Sequence, residues 1–252
     1  MSALLWLDPE DEETPFPPVH QALRDPDGLL AIGGSLSQRR LLHAYQRGIF
    51  PWYGQGQPVL WWSPDPRTVL YPERLRISRS LRRLLRRSLY RVTLDRAFAE
   101  VMAACAEPRR GQEGTWITAD MRAAYGRLHR HGSAHSVEVW QGQRLVGGLY
   151  GVAMGGIFFG ESMFSRGADA SKVALAHLCG QLSLWSFAVI DCQTRTEHLM
   201  RLGAEQLPRP AFMRLLRSAL ALPTRPGPWT LQPEVVQCLA ESGRIGVRST
   251  VE

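Results

Sequence analysis

Ser136-Val-Glu-Val-Trp140, Arg144-Leu-Val-Gly-Gly-Leu-Tyr150 and Gly156-Ile-Phe-Phe159 follow one another along the chain, separated by the turn-forming pairs Gln141-Gly142 and Met154-Gly155. Short β-branched and aromatic runs bounded by glycine predict three strands joined by tight turns, a meander. Residues 171–185 then read as a buried helix and Ala188-Val-Ile-Asp-Cys192 as a further strand. Consecutive strands that pass through a helix to another strand predict an α+β layer fold. Outward from this block, Arg91-Val-Thr-Leu94 is a strand, and residues 96–106 and 118–130 are helices, the second capped by Thr118. Towards the start, Leu29-Leu-Ala-Ile-Gly-Gly34 is a short strand and turn, and Ser35-Leu-Ser37 introduces a helix running to about Gly48. Residues 49–53, 59–62 and 68–71 are aromatic strands broken by Gly and Pro. Ser63-Pro-Asp-Pro66 marks a boundary, because proline interrupts helix and ladder alike. Residues 1–63 are therefore expected as a small N-terminal domain and 64–252 as a larger one. Residues 196–203 and 209–220 read as helices before a proline-rich tail.

The 252 residues, 44% hydrophobic and 21% charged, have a globular rather than disordered composition. The start, Met1-Ser-Ala-Leu-Leu-Trp-Leu7, runs into Asp8-Pro-Glu10 without the basic residues and cleavage site of a signal peptide. The longest uncharged stretch, 173–190, holds His177, Gln181, Ser183 and Ser186, too polar for a membrane span. Cys105, Cys179, Cys192 and Cys238 form no C-x-x-C pair and no disulfide framework. A cytoplasmic protein with no membrane partner is expected.

Thirty basic and 23 acidic side chains leave a formal charge of +7, and every basic residue but Lys172 is arginine. The excess is local. Residues 67–96 carry ten arginines against Glu73 and Asp95, whereas residues 1–30 carry seven acids and one base, Arg24. Within the basic stretch, residues 78–88 read as an amphipathic helix with Leu81, Leu84 and Leu85 on one face and Ser78 or Ser80 as its cap. Arg79, Arg82, Arg83, Arg86 and Arg87 cover the other sides. Like charges at i, i+4 cost helix stability. A solvated face is one reading. With no acid partners nearby, a phosphate-binding strip is the stronger one, since guanidinium forks match phosphate oxygens.

Familiar catalytic patterns are missing. Neither G-x-x-x-x-G-K-[ST] nor G-x-G-x-x-G occurs, and Gly160-Glu-Ser-Met-Phe164 fails the serine-hydrolase elbow at its last position. His129, His131 and His135 straddle a helix end and a strand start, and read as surface residues rather than a metal site. Two acids stand out: Glu161, directly after the apolar run Ile157-Phe-Phe159, and Asp191, at the end of an apolar strand. Carboxylates beside apolar surface can have raised pKa values and serve as bases or cation anchors. Taken alone, they read more simply as ordinary loop acids. Cys192 reads as a core residue.

Nine segments in order resemble the leucyl/phenylalanyl-tRNA–protein transferase family. They are Gly28-Leu-Leu-Ala-Ile-Gly-Gly34, Gly48-Ile-Phe-Pro-Trp52, Trp61-Trp-Ser-Pro-Asp-Pro-Arg67, Thr115-Trp-Ile117, Ala134-His-Ser-Val-Glu138, Leu145-Val-Gly-Gly-Leu-Tyr-Gly151, Phe159-Gly-Glu-Ser-Met-Phe-Ser165, Ala170-Ser-Lys172 and Ile190-Asp-Cys-Gln193. The resemblance implies a small N-terminal α/β domain packed on an acetyltransferase-like (GNAT) C-terminal domain, the latter including the basic helix 78–88. It implies an enzyme that moves Leu or Phe, sometimes Met, from tRNA to a protein's N-terminal Arg or Lys, creating a degradation signal. It also implies no metal and no cofactor, because the aminoacyl ester is already activated; a monomer is expected.

On the same resemblance, Asp191 and Gln193 orient and activate the acceptor's amine, and Glu161 pairs with its amine or cationic side chain. Leu149, Phe158, Leu175, Leu178 and Ile190 are expected to enclose the donor side chain. Trp52 and Trp116 are expected to meet the tRNA 3′ adenosine, and Lys172 a 3′-end phosphate. The five arginines of the basic helix would then grip the acceptor stem. Arg144-Leu-Val-Gly-Gly-Leu149 begins the pyrophosphate loop of ordinary acetyltransferases but fails at its last residue and lies in a predicted strand. Leu178 and Leu182 stand where family members carry aromatic pocket residues. An acetyl-CoA N-acetyltransferase, from the implied fold, and a non-catalytic RNA-binding protein, from residues 67–96, are the alternatives.

Overall fold

The computed structural model describes residues 4–108 and 115–245. The first three and the last seven residues, at the outer ends of the two expected domains, lie outside the described part. The described chain is α+β with two sheets. The smaller contains β1 (Leu5–Leu7), β2 (Leu29–Gly33), β3 (Phe50–Pro51) and β4 (Leu60–Trp62) in the order β1-β2-β4-β3. Helix α1 (Gln38–Gln46) follows β2, and the Ser37 side chain caps it by accepting from the Arg40 amide. Leu41, Ala44 and Tyr45 of α1 are buried.

The larger sheet has β5 (Arg67–Leu70), β6 (Arg91–Leu94), β7 (Ala134–Gln141), β8 (Arg144–Met154), β9 (Ile157–Ser165), β10 (Val189–Gln193) and β11 (Glu205–Leu207), ordered β11-β5-β10-β9-β8-β7-β6. Its helices are α2 (Arg79–Arg86), α3 (Phe98–Cys105), α4 (Ala119–Arg130), α5 (Ala170–Leu184), α6 (Glu197–Arg201), α7 (Arg209–Leu220) and α8 (Pro233–Ser242). The chain leaves the small sheet after Trp62 and enters the large one at Arg67. Among the described residues no helix is long and apolar enough to cross a membrane.

Both faces of the large sheet are covered, and the strand period of two sorts its side chains between two cores. Tyr150, Val152, Ile157 and Phe159 join α3, α4, α7 and the small sheet in one apolar cluster. Leu149, Ala153, Phe158 and Ile190 join α5, α2 and α8 in the other. Helix α5 is buried on nearly every side, as the absence of charge from residue 173 onward implies.

The Ala134-His-Ser-Val-Glu138 segment turns out to be a structural clasp. Buried Glu138 accepts from Thr93 Oγ1 at 2.5 Å and from the amides of Arg96 and Ala97 at the entrance to α3. His135, expected at the surface, is buried instead: its Nδ1 meets Asp95 Oδ2 at 2.8 Å and its ring stacks on Trp229 at 3.5 Å. The C-terminal segment around Trp229 covers it, which local sequence around residue 135 does not reveal.

The meander's third strand is longer than expected. Residues 160–165 look polar, yet Ser162, Met163, Phe164 and Ser165 pair with Tyr150, Leu149, Gly148 and Gly147 of β8. Glu161 therefore lies inside a strand and not after one. The register slips between Tyr150–Ser162 and Gly151–Gly160, leaving Glu161 as the extra residue of a β-bulge. The two glycines at the slip differ. A Cβ on Gly151 would lie 2.1 Å from the Phe159 carbonyl oxygen, whereas one on Gly160 meets nothing nearer than 3.7 Å. Gly151→Ala should lower stability by about 1–3 kcal/mol or more through overpacking, and Gly160→Ala by less than about 0.5 kcal/mol. Urea unfolding midpoints at constant m-value check the contrast.

Candidate active site

Strands β9 and β10 run parallel, with Ile190 opposite Phe158 and Asp191 opposite Phe159. Immediately beyond, both strands bulge. In β10 the register against β5 slips between Asp191–Val69 and Gln193–Thr68, leaving Cys192 over, and Gln193 takes φ +64°. A left-handed backbone at a non-glycine residue is strained and persists where surroundings over-determine it. Here the strain aims Gln193 at its neighbour strand: Nε2 donates to Glu161 Oε1 at 3.0 Å.

Glu161 collects two more donors from distant helices. Tyr45 of α1 donates to Oε1 at 2.7 Å and Tyr125 of α4 to Oε2 at 3.0 Å, which brings the two phenol oxygens side by side. Burial raises the Glu161 carboxyl to about 7 against the lowering pull of both tyrosines, and the charge of Asp191 adds to the rise. Burial, then the charge of Glu161, pushes both tyrosines well above their ordinary range, so they stay neutral donors.

Asp191 has the opposite environment. Its two oxygens take Arg67 Nε at 2.8 Å and Nη2 at 2.7 Å, and Oδ1 also accepts the Gln193 amide at 2.9 Å. Arg67 and Asp191 are 1% and 0% exposed. The guanidinium donates further to the Gly48 carbonyl at 3.1 Å and lies between the rings of Phe50 and Phe212, 4.8 and 4.7 Å from their centroids. Arg67, counted above with the exposed basic stretch, is thus a core residue, because its carboxylate partner is 124 positions away.

In front of this pair opens a cavity of about 500 Å³. Leu149, Phe158, Leu175, Leu178 and Ile190, the five residues expected to form an apolar pocket, all line it, as do Glu161, Gln193, Trp52 and Trp116. Asp191 does not; it sits behind the wall. Cys192, expected in the core, is part-buried on the cavity wall because the bulge turns it there, and burial pushes its thiol up, away from thiolate chemistry. Met163, His198 and Leu199 also line the cavity without having been foreseen. Met163 is two residues beyond Glu161 in a run read as loop; α6, which carries the other two, reads as an ordinary short helix.

Trp52 is 47% exposed and meets Trp62 edge-on at 5.8 Å, while the fully buried tryptophan of this region is Trp61. Trp62, not singled out above, donates from Nε1 to the Trp52 carbonyl at 2.6 Å and so fixes that backbone. Lys172 is not on the wall. It pairs with Asp169 at 2.6 Å, close enough to His198 for its charge to reinforce burial in lowering that imidazole's pKa. Helix α2 buries Leu81 and Leu85, and Ser78, not Ser80, caps it. Arg79, Arg82, Arg83, Arg86 and Arg87 line an open groove of their own, apart from the cavity. Among the described residues none of the five has an acidic partner within 4.0 Å.

Comparison with known proteins bears on this arrangement. Residues 69–217 match the model of the leucyl/phenylalanyl-tRNA protein transferase family, and residues 34–65 match the model of that family's N-terminal domain. The chain belongs to this family. A leucyl/phenylalanyl-tRNA–protein transferase of Methylococcus capsulatus is 58% identical over 230 residues, covering 91% of this chain and 98% of its own. One from Aromatoleum aromaticum is 60% identical over 217 residues, covering 86% and 92%. A solved structure, that of L-PGS from Bacillus licheniformis, shares 12% identity over 68% of this chain and 57% of its own, with a TM-score of 0.36, too loose to carry argument. Within the transferase family's own matched segments fall every cavity residue named above, Trp52 in the N-terminal one and the rest in the longer.

The Arg67–Asp191 pair predicts an asymmetric mutational response. Arg67→Met strands a buried carboxylate and should cost about 3–5 kcal/mol, whereas Arg67→Met combined with Asp191→Leu should regain much of it. Chemical denaturation of both variants measures the difference.

Proposed function

We propose that the protein transfers Leu or Phe, sometimes Met, from aminoacyl-tRNA to the N-terminal Arg or Lys of acceptor proteins, forming a peptide bond that marks them for degradation. The observation that carries this reading is one cavity lined both by five buried apolar side chains and by the hydrogen-bonded Glu161–Gln193 pair. The donor side chain fits among Leu149, Phe158, Leu175, Leu178 and Ile190. Such a pocket accepts unbranched-β side chains by shape, and differences of one methylene discriminate by only about 1–3 kcal/mol.

Trp52 and Trp116 present aromatic surface to the 3′ adenosine, where stacking contributes roughly 1–3 kcal/mol per base. The unpaired arginines of α2 suit acceptor-stem phosphates, gripped without sequence readout. Lys172, engaged by Asp169, reaches a 3′-end phosphate only by exchanging that partner. The acceptor's amine enters at Gln193 and Glu161, a charge-assisted contact. Asp191 acts through the backbone: it holds the Gln193 amide and, with Arg67, the bulge that aims the side chain. Positioning of amine and ester can supply much of the rate as effective molarity. The ester carries its own leaving group, so this transfer calls for no cofactor.

The acetyl-CoA alternative is weakened by the Gly147-Gly148 pair. It lies inside β8, and a Cβ on Gly147 would stand 2.5 Å from that of Ala170, so α5 occupies the space over it. We assign residues 1–63 and 64–252 as domains, the second acetyltransferase-like (GNAT), on the parallel β9–β10 pair inside an otherwise antiparallel sheet.

Labelled Leu-tRNA incubated with a peptide beginning with Arg should pass its label to that peptide, whereas acetyl-CoA should not acetylate it. Label that never reaches the peptide refutes the reading. Replacing Arg83 and Arg86 by Gln should weaken tRNA binding and flatten the log–log salt dependence by about 2; an unchanged slope would make α2 a solvated face only.

A further inference from the structure

Resting on the transfer reading, we infer that Glu161 is the group that takes the acceptor amine's proton, and that Tyr45 and Tyr125 are positioning residues that hold and tune it. Among the described residues Glu161 is the sole carboxylate on the cavity wall. A carboxylate offers about four acceptor sites. Tyr45 and Gln193 occupy two on Oε1 and Tyr125 one on Oε2, which leaves a single Oε2 site for an entering N–H. The bulge fixes the carboxylate's direction, and donors on both oxygens fix its plane. Asp191 cannot serve, since Arg67 binds both its oxygens behind the wall.

The groups facing Glu161 are Tyr45 from α1, Tyr125 from α4, Tyr150 from β8, and Asp191 with Arg67 from β10 and β5. None of the three phenols competes for the proton, because burial raises all of them. With its carboxyl near 7, Glu161 is close to the ~7.7–8.0 of an α-amine, so the proton moves with little penalty either way.

The step balances. The acceptor's ammonium gives one proton to Glu161 Oε2, and the freed nitrogen pair attacks the ester carbonyl carbon, forming the C–N bond. The tetrahedral adduct collapses as the carbon–ribose oxygen bond breaks. The ribose oxygen leaves with that electron pair and takes the nitrogen's second proton. Glu161 then returns its proton to water.

The test follows two readouts over pH 5.5–9: single-turnover transfer from Leu-tRNA to an Arg peptide, and infrared titration of carboxyl groups in the protein alone. The carboxylate form grows as pH rises, so transfer by the wild type should rise through about 7. Glu161→Gln should lose about 10²-fold or more together with the carboxyl band that titrates there. Tyr45→Phe and Tyr125→Phe each remove a bond that favours the carboxylate, so both readouts should move to higher pH, with the rate largely regained on the alkaline side. A purely structural role would lower rates at every pH and leave the midpoint in place, which overturns the inference, as would a Glu161→Gln enzyme of wild-type rate. His198→Gln, which removes the imidazole from the wall, should leave the Glu161 midpoint unmoved; loss of the acid limb there instead assigns the proton to His198. If Glu161→Gln does not fold, the two tyrosine variants decide. Failure of the wild type itself to modify the peptide sinks the transfer reading and this inference together, whereas wild-type transfer with unmoved midpoints sinks the inference alone.

Discussion

The buried Arg67–Asp191 ion pair ties together the parts from which the cavity is assembled. Arg67 belongs to β5 and Asp191 to β10, and the guanidinium also reaches the Gly48 carbonyl after α1 and packs between Phe50 of β3 and Phe212 of α7. Four separate chain segments therefore meet on one cation. Removing a guanidinium from water is costly unless its donors are satisfied, and here a bidentate carboxylate, a carbonyl and two aromatic faces answer that cost. The same carboxylate accepts the Gln193 amide, so the pair also fixes the strained residue that aims into the cavity.

Two carboxylates lie close enough for Asp191 to raise the Glu161 pKa, yet their surroundings divide their chemistry. Asp191 faces a full positive charge, with both its oxygens taken by one guanidinium at hydrogen-bond distance. Glu161 faces only neutral donors, two phenols and an amide, so burial dominates and its carboxyl stays near 7. Environments that separate a pair of acids in this way separate structural from proton-handling work. The separation depends on the N-terminal part of the chain, since Tyr45 comes from α1 and packs its ring 4.9 Å from Phe159 on the large sheet.

Local rules reached much of the architecture. The meander, the capped helices at Ser37, Ser78 and Thr118, and the predominantly apolar helix α5 all follow from period, capping and composition. The five apolar pocket residues were legible through the family resemblance, since nothing in their own spacing distinguishes a lining leucine from a core one. What stayed hidden depends on register. Two neighbouring bulges cannot be read from Gly160-Glu-Ser or Asp191-Cys-Gln, because each exists only relative to the strand beside it. Tyr45 and Tyr125 look like ordinary helix-face aromatics until α1 and α4 are brought to the same carboxylate.

The charge excess itself divides in the same way. Arginine 67 and the five arginines of α2 are one residue type in one basic stretch, yet Arg67 spends its charge inside the fold and the α2 set keeps its charge outside. An exposed arginine without an acid partner retains hydration and like-charge repulsion along its helix, a cost that helix α2 offsets by burying Leu81 and Leu85 and by the Ser78 cap. That cost is compensated further when a polyanion lies against the groove. The buried arginine holds the wall behind the cavity, and the α2 arginines leave a surface whose charge suits a polyanion.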